Sequence, residues 1–202
     1  KYLSCNNNQL SSLPALPATI EYMDISFNQL TTIPALPAAL INLMAKNNSL
    51  TSLPAFPSLL TNVNVNHNQI TSLPPLNTGL SILNCSYNQV TVLPSIPSTL
   101  SSLDCSFNLI TAIPALPNTL TGLTFYHNQV SNLTVLPDSL RGFECGENLL
   151  TSLPAFPSKL ESVDCSFNNI SELPSLPPTL YKLTCIATHI TCIPVLPTGL
   201  SD

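Results

Sequence analysis

The chain has 202 residues, of which 44% are hydrophobic and 7% charged, and its formal net charge is −5. That is apolar enough to close a core and too sparsely charged to stay disordered. Its five lysines and arginines are scattered and give no basic stripe for nucleic acid or anionic lipid, while prolines and polar residues break every apolar stretch short of the roughly 18 residues of a membrane helix.

The same pattern returns every 20 residues from Lys1 to Leu200, so that ten copies, starting at residues 1, 21, 41, 61, 81, 101, 121, 141, 161 and 181, fit without a gap. Aligned, they read LxxLxCxxNxLTxLPxLPxx, with the first leucine supplied by the end of the preceding copy. A fixed period of this length is the signature of a leucine-rich repeat solenoid. In the copy Ser101–Leu120, Leu103 and Cys105 alternate with Ser102, Asp104 and Ser106, which predicts one short strand. No later part of the copy has helical spacing, and Pro114 and Pro117 remove amide donors and fix φ. The return path is therefore expected to be extended or polyproline-like. The predicted architecture is a single β-rich domain over residues 1–202: flat coils, a parallel sheet on the concave face and little or no α-helix. One coil cannot bury Leu103, Cys105, Ile110, Ile113, Leu116 and Leu120 alone, so each is expected to find its dry interior against the next coil.

In chain order, the first three copies carry an ordinary core, with Leu3, Met23 and Leu43 inward beside Cys5, Ile25 and Ala45. Copy four has Asn77 where proline is expected and Pro75 directly after Pro74, which predicts a local bulge of the outer path. Copy seven has Thr134 in place of the first proline, followed by Val135, and a small convex irregularity is expected there. Copies eight to ten gather Glu144, Glu147, Glu161, Asp164 and Glu172, partly offset by Arg141, Lys159 and Lys182, so this end is expected to be the more negative. Leu200-Ser201-Asp202 reads as the opening of an eleventh copy, and neither end carries a polar cap; the expectation is a mature fragment or a trimmed segment of a longer chain.

The eighth place is asparagine in nine copies, at Asn8, Asn28, Asn48, Asn68, Asn88, Asn108, Asn128, Asn148 and Asn168, and only Thr188 breaks the column. The chain turns out of its strand here, and a carboxamide offers both a donor and an acceptor to main-chain groups that no ladder reaches. A structural ladder is therefore expected, not a catalytic row. Cys5, Cys85, Cys105, Cys145, Cys165 and Cys185 fall at the inward fifth place and behave as small hydrophobes. Cys192, seven residues beyond Cys185, either closes a disulfide with it or stays a free thiol, since an inward strand residue and an outer turn residue are poorly placed for sulfur geometry. The sequence contains no C-x-x-C pair, His67, His127 and His189 lie three copies apart, and neither a nucleophile motif nor a phosphate-cradling glycine loop is present. No metal, no cofactor and no enzymatic activity are expected.

Two surfaces remain. Threonines at the eleventh place (Thr31, Thr51, Thr71, Thr91, Thr111, Thr151 and Thr191) form a hydroxyl row of the kind that can bind ice, though one column is narrow and such a threonine is ordinary in these repeats. The solvent side of the inner sheet is the candidate partner-binding face: Tyr22, Asp24, Phe27, His67, Tyr87, Asp104, Phe107, Tyr126, His127, Glu144, Asp164 and Phe167. Rings recur there at place seven, and amphipathic rings supply contact area at small entropic cost. The same rings equally suit packing along the sheet edge to shield the asparagines.

The segments LTSLPAFPSKLESVDCSFN and ITAIPALPNTLTGL resemble the short bacterial leucine-rich repeat with two prolines in an LPxLP wall, and the resemblance covers essentially the whole chain. One branch of that family serves as the recognition domain of secreted effectors, some with a ubiquitin-ligase domain beyond the repeats. Another, with LDCSxN strands and surfaces rich in Asn, Ser and Thr, comprises secreted or cell-surface proteins of Gram-negative bacteria, and the inward cysteines and sparse charge here are more similar to it. Asp138-Ser139-Leu140 is also similar to an O-glycosylation signal of exported proteins. The resemblance implies a noncatalytic binding domain, extracellular or on the cell surface, that takes a protein or glycan through its concave face, alone or within a larger surface assembly. From charge and hydropathy, neither nucleic-acid binding nor membrane insertion is expected. The alternative it implies is a substrate-selecting repeat domain of an effector secreted into a host cell.

Overall fold

The computed structural model describes residues 1–200, so the reading of Ser201 and Asp202 as the start of another copy lies outside the described residues. Ten strands follow in order: β1 (Tyr2–Ser4), β2 (Tyr22–Asp24), β3 (Asn42–Met44), β4 (Asn62–Asn64), β5 (Ile82–Asn84), β6 (Ser102–Asp104), β7 (Gly122–Thr124), β8 (Gly142–Glu144), β9 (Ser162–Asp164) and β10 (Lys182–Thr184). They form one parallel sheet in chain order, and Leu83 pairs with Leu103 as Leu103 pairs with Leu123. This is the leucine-rich repeat solenoid expected of the sequence. The regular strand is only three residues long in every copy, and where place four is Asp or Asn, as at Asp104, that side chain caps the bend immediately after it. No α-helix occurs among the described residues, and no helix is long and apolar enough to cross a membrane.

Places three, five, ten and twenty of the interior coils form the core. Leu83, Leu103 and Leu123, then Cys85, Cys105 and Phe125, are essentially sealed from water by the like-placed residues on either side. Phe125 is the largest residue of its column and lies between Cys105 and Cys145, whose small volumes leave room for its ring to meet Phe143 at 5.9 Å. The convex wall is looser. Ile113 and Leu116 are only partly buried, and beside Thr134 and Val135 a cleft of about 530 Å³ opens between rungs six and seven.

The asparagine column is bonded on both sides in the interior rungs. Nδ2 of Asn108 donates to the carbonyls of Cys105 and Ser106 in its own rung and Cys85 in the one before, and its Oδ1 accepts the Val90 amide at 2.9 Å. Asn28, Asn48, Asn68, Asn88, Asn128, Asn148 and Asn168 give their oxygens to the place-ten amides of the preceding rungs in the same way. Asn8, on the first rung, is exposed and donates only to carbonyls of its own rung, and Thr188 replaces the carboxamide by one bond to Cys185.

A second column is set by place nineteen. The hydroxyls of Thr99, Thr119, Ser139 and Thr179 each donate to two carbonyls of the rung before, at Leu80, Leu100, Leu120 and Leu160 and at the residue two places earlier. Ser139 is therefore part of a structural clamp, which argues against the O-glycosylation signal read at Asp138-Ser139-Leu140. Rung four has Gly79 at this place, and there Asn77 takes over, donating to Leu60 at 2.8 Å and Ser58 at 3.3 Å. The Leu80 amide still bonds to the residue-77 carbonyl, as its counterparts bond to a proline carbonyl, so the turn expected to bulge keeps its ordinary hydrogen bond.

Candidate functional site

In five of the ten rungs the chain leaves its strand by the same local device. At place four an Asp or Asn oxygen accepts the place-six amide, as Asp24 does for Ser26, Asn84 for Ser86, Asp104 for Ser106 and Asp164 for Ser166, an Asx turn. One oxygen of Asp24, Asp104 and Asp164, all read from the sequence as partner ligands, is thus committed to holding the turn. The second oxygen of Asp24 receives the Asn6 carboxamide at 2.6 Å and that of Asp104 the Asn84 carboxamide at 3.1 Å. Hydrogen bonds from Ser26 and Asn6, with Lys46 nearby, hold the Asp24 carboxyl below its ordinary range even though burial opposes this.

Place seven lies in the left-handed region in all ten rungs, with or without an Asp or Asn at place four, with φ between 49° and 55°. Asn7 and Asn47 suit that conformation. His67 and His127 also tolerate it, whereas Phe27, Tyr87, Phe107 and Phe167 do not suit it, and each of those four rings held there costs on the order of 1–2 kcal/mol of backbone strain. Little in the sequence pattern announces the strain, because Phe and Tyr are residues a left-handed position ordinarily excludes; Asn7, Asn47, His67 and His127 are the hints.

The strain presents a row of rings along one edge of the concave face. His67, Tyr87, Phe107 and His127 stack in succession, with centroid separations of 4.1, 4.2 and 4.9 Å. Phe27 stands apart from the stack with Lys46 over its face at 5.2 Å, and Phe167 stands alone and 49% exposed. Tyr22 stacks on Tyr2 at 4.6 Å. The structure thus brings four of the sequence-nominated rings into one array and leaves Tyr22, Phe27 and Phe167 outside it. Between β3 and β6 the sheet floor holds a shallow hollow of about 300 Å³, lined by Asn42, Asn62, Asn64 and Asn84 around Met44 and Ile82. These amides are not among the residues the sequence nominates, because they occur in only a few copies.

The ring row ends in a polar cluster. Glu147 accepts the Tyr126 hydroxyl with one oxygen and faces His127 Nδ1 at 2.5 Å with the other. Those two partners hold the Glu147 carboxyl below its usual range, and the Glu147 bond chiefly pushes the Tyr126 phenol up to about 12. Glu144 projects into solvent one strand position away, and Arg141 is paired with Glu161.

No grouping of three or more His, Cys, Asp or Glu residues suited to a metal occurs among the described residues. All seven cysteines are free thiols, including Cys185 and Cys192, so no bridge joins that pair in the structure. Cys192 is exposed on the outer turn, while Cys185 lies half-buried at the inward place. Burial pushes the thiols of Cys85 and Cys165 up to about 12 and those of Cys105 and Cys145 well above the ordinary range.

No family model matches the chain, and no curated protein sequence matches it. Among solved structures, YopM from Yersinia enterocolitica aligns at 35% identity with a TM-score of 0.94 over 98% of this chain and 49% of YopM. A structure described as YopM, a leucine-rich effector protein from Yersinia pestis, aligns at 26% identity with a TM-score of 0.56, covering 96% of this chain and 74% of that one. The functional domain of InlJ from Listeria monocytogenes, described as including a cysteine ladder, aligns at 27% identity with a TM-score of 0.69 over 94% of this chain and 49% of InlJ. The chain spans about half the length of the Yersinia enterocolitica YopM and of InlJ. Its structural neighbours include bacterial leucine-rich repeat proteins.

Proposed function

We propose that this chain is a noncatalytic recognition domain of a secreted or cell-surface bacterial protein, binding a protein partner through its concave face. One observation carries the reading. Six of the ten place-seven residues are rings held at positive φ, although Asn7 and Asn47 show that the turn is built equally well without them. Stacking returns about 0.5–1.5 kcal/mol per pair within the row from His67 to His127, but it returns nothing to the lone Phe167. Rings retained at such a cost at a solvent-facing edge are suited to contact another molecule. The neighbouring bacterial leucine-rich repeat proteins are consistent with a protein-binding repeat domain, and a protein is the better match than a glycan because ring edges, not open ring faces, line most of the row.

The similarity to YopM favours a second reading on the question of compartment. An effector delivered into a host cell, with these repeats selecting what it acts on or what an attached ubiquitin ligase acts on, fits the same concave face. The experiment is the replacement of Phe27, Tyr87, Phe107 and Phe167 by serine in the full-length protein, followed by crosslinking and mass spectrometry of its native associations. Loss of the crosslinked partner with the fold intact supports recognition. An unchanged set of partners leaves the repeats as a spacer in a larger assembly and refutes the proposal.

A further inference from the structure

Tyr126 occupies place six, where Ser26, Ser86, Ser106 and Ser166 are the usual occupants. The place-six residue of the next rung is Gly146, and a Cβ there would lie 2.6 and 2.8 Å from Cε2 and Cδ2 of the Tyr126 ring. The glycine is what lets the ring lie over rung eight. Its hydroxyl is tied to Glu147, its ring lies tilted by 44° against that of Phe107 at 5.5 Å, and His127 braces Glu147 from the ring row. Unlike the rings of the row, whose faces cover one another, Tyr126 rests on a residue with no side chain and remains half-exposed.

The approach is open. At place two of the same rungs stand Gly122 and Gly142, so neither strand carries a side chain on that part of the face. The charge around it has one sign: across places two to seven of rungs six to nine there are four carboxylates, Asp104, Glu144, Glu147 and Asp164, and neither a lysine nor an arginine. Arg141 lies at place one and is engaged by Glu161.

Resting on the reading of the concave face as a recognition surface, we propose that Tyr126, over Gly146 and flanked by Glu144 and Glu147, is the seat for an arginine side chain of the protein partner. A planar guanidinium lies flat on a tyrosine face and offers forked donors to adjacent carboxylates, whereas an ammonium matches only the charge. A neutral sugar would use the ring but not the four carboxylates.

The test is an NMR titration of the full chain with a glycine–serine peptide bearing arginines and with its twin in which every arginine is citrulline, which keeps the shape and removes the charge. The arginine peptide is expected to shift the amides of Gly142, Glu144, Gly146 and Glu147 and to bind about tenfold more tightly than the citrulline twin. Glu144→Gln, at an exposed position, should loosen the arginine peptide about fivefold without altering the fold, because it removes one charge-assisted hydrogen bond. Gly146→Ala, which displaces the ring without removing it, should do the same. Equal binding of the citrulline peptide or of a neutral oligosaccharide at this seat overturns the arginine assignment. Shifts confined to the amide hollow around Asn62 and Asn84 overturn the seat and leave the concave-face reading standing, and shifts confined to the convex wall around Val92 and Val135 overturn both.

Discussion

Replacing Asn108 by alanine tests whether the rungs are joined by polar bonds as well as by apolar contact. Asn108 is 4% exposed, and its four hydrogen bonds do not all matter equally. The three carbonyls it serves keep other donors: Cys85 O retains Asn88, Cys105 O retains Asn128, and Ser106 O retains the Tyr87 amide. The Val90 amide has no such reserve, because Asn108 Oδ1 is its acceptor and Val90 is wholly buried. One orphaned buried N–H costs about 1–3 kcal/mol, and the net loss of the carboxamide's own bonds adds about 1 kcal/mol, so Asn108→Ala should destabilise the chain by roughly 3 kcal/mol. Asn8→Ala removes only two exposed bonds and should cost less than about 1 kcal/mol. Asn108→Asp keeps the acceptor for Val90 but turns a carboxylate toward three carbonyls, and it should be worse than alanine. Equilibrium urea unfolding followed by circular dichroism measures all three, with hydrogen exchange of the Val90 amide as the local readout. Equal midpoints for Asn108→Ala and Asn8→Ala, or an Asn108→Asp variant as stable as wild type, would refute the reasoning.

Other outcomes follow from the same bonds. Asn77→Pro restores the repeat pattern yet should destabilise by about 1 kcal/mol, because two clamp bonds to Ser58 and Leu60 disappear against a smaller gain from the stiffer unfolded chain. Adding Gly79→Thr should recover the loss in thermal unfolding, since a Cβ at residue 79 is crowded mainly by the Asn77 carboxamide and the Ser58 carbonyl that the new hydroxyl would bond. Under native conditions a maleimide should label Cys192 first and Cys5 and Cys185 more slowly, leaving Cys85, Cys105, Cys145 and Cys165 unlabelled until unfolding, as mass spectrometry of the digested protein would show. The raised folded-state values of those four thiols also set a pH dependence. Their contribution to stability is fully present below the ordinary thiol range, about 9, and is lost as pH rises from there toward about 12, because the unfolded chain ionises first. A Cys85→Ala, Cys105→Ala variant should show a smaller alkaline fall in its unfolding midpoint than wild type, and an equal fall would count against burial as the cause.

How far the molecule is legible in its sequence depends on whether a feature repeats. Leu103 recurs at Leu83 and Leu123, so the register of every strand pair follows from the period, and a one-residue slip would turn those leucines to water. The place-seven backbone is hidden because Phe107 and its equivalents contradict the ordinary preferences of a left-handed residue. Asp104 reads as a ligand and serves first as a turn cap, a role its spacing from the Ser106 amide already suggests. Asn77 looks like a defect because its compensation lies in the carbonyls of rung three, which no local pattern reveals. The pairing of Tyr126 with Gly146 becomes visible only when two neighbouring rungs of one column are read together.

The most direct test of the recognition claim is hydrogen–deuterium exchange of the full-length protein with and without its captured partner. Added protection is expected in the segments 62–68, 82–88, 102–108, 122–128 and 142–148, which carry the ring row, Tyr126 and its seat over Gly146, with the proline wall unchanged. Protection confined to the wall around residues 112–117 and 132–137, with the ring segments exchanging as before, would contradict it.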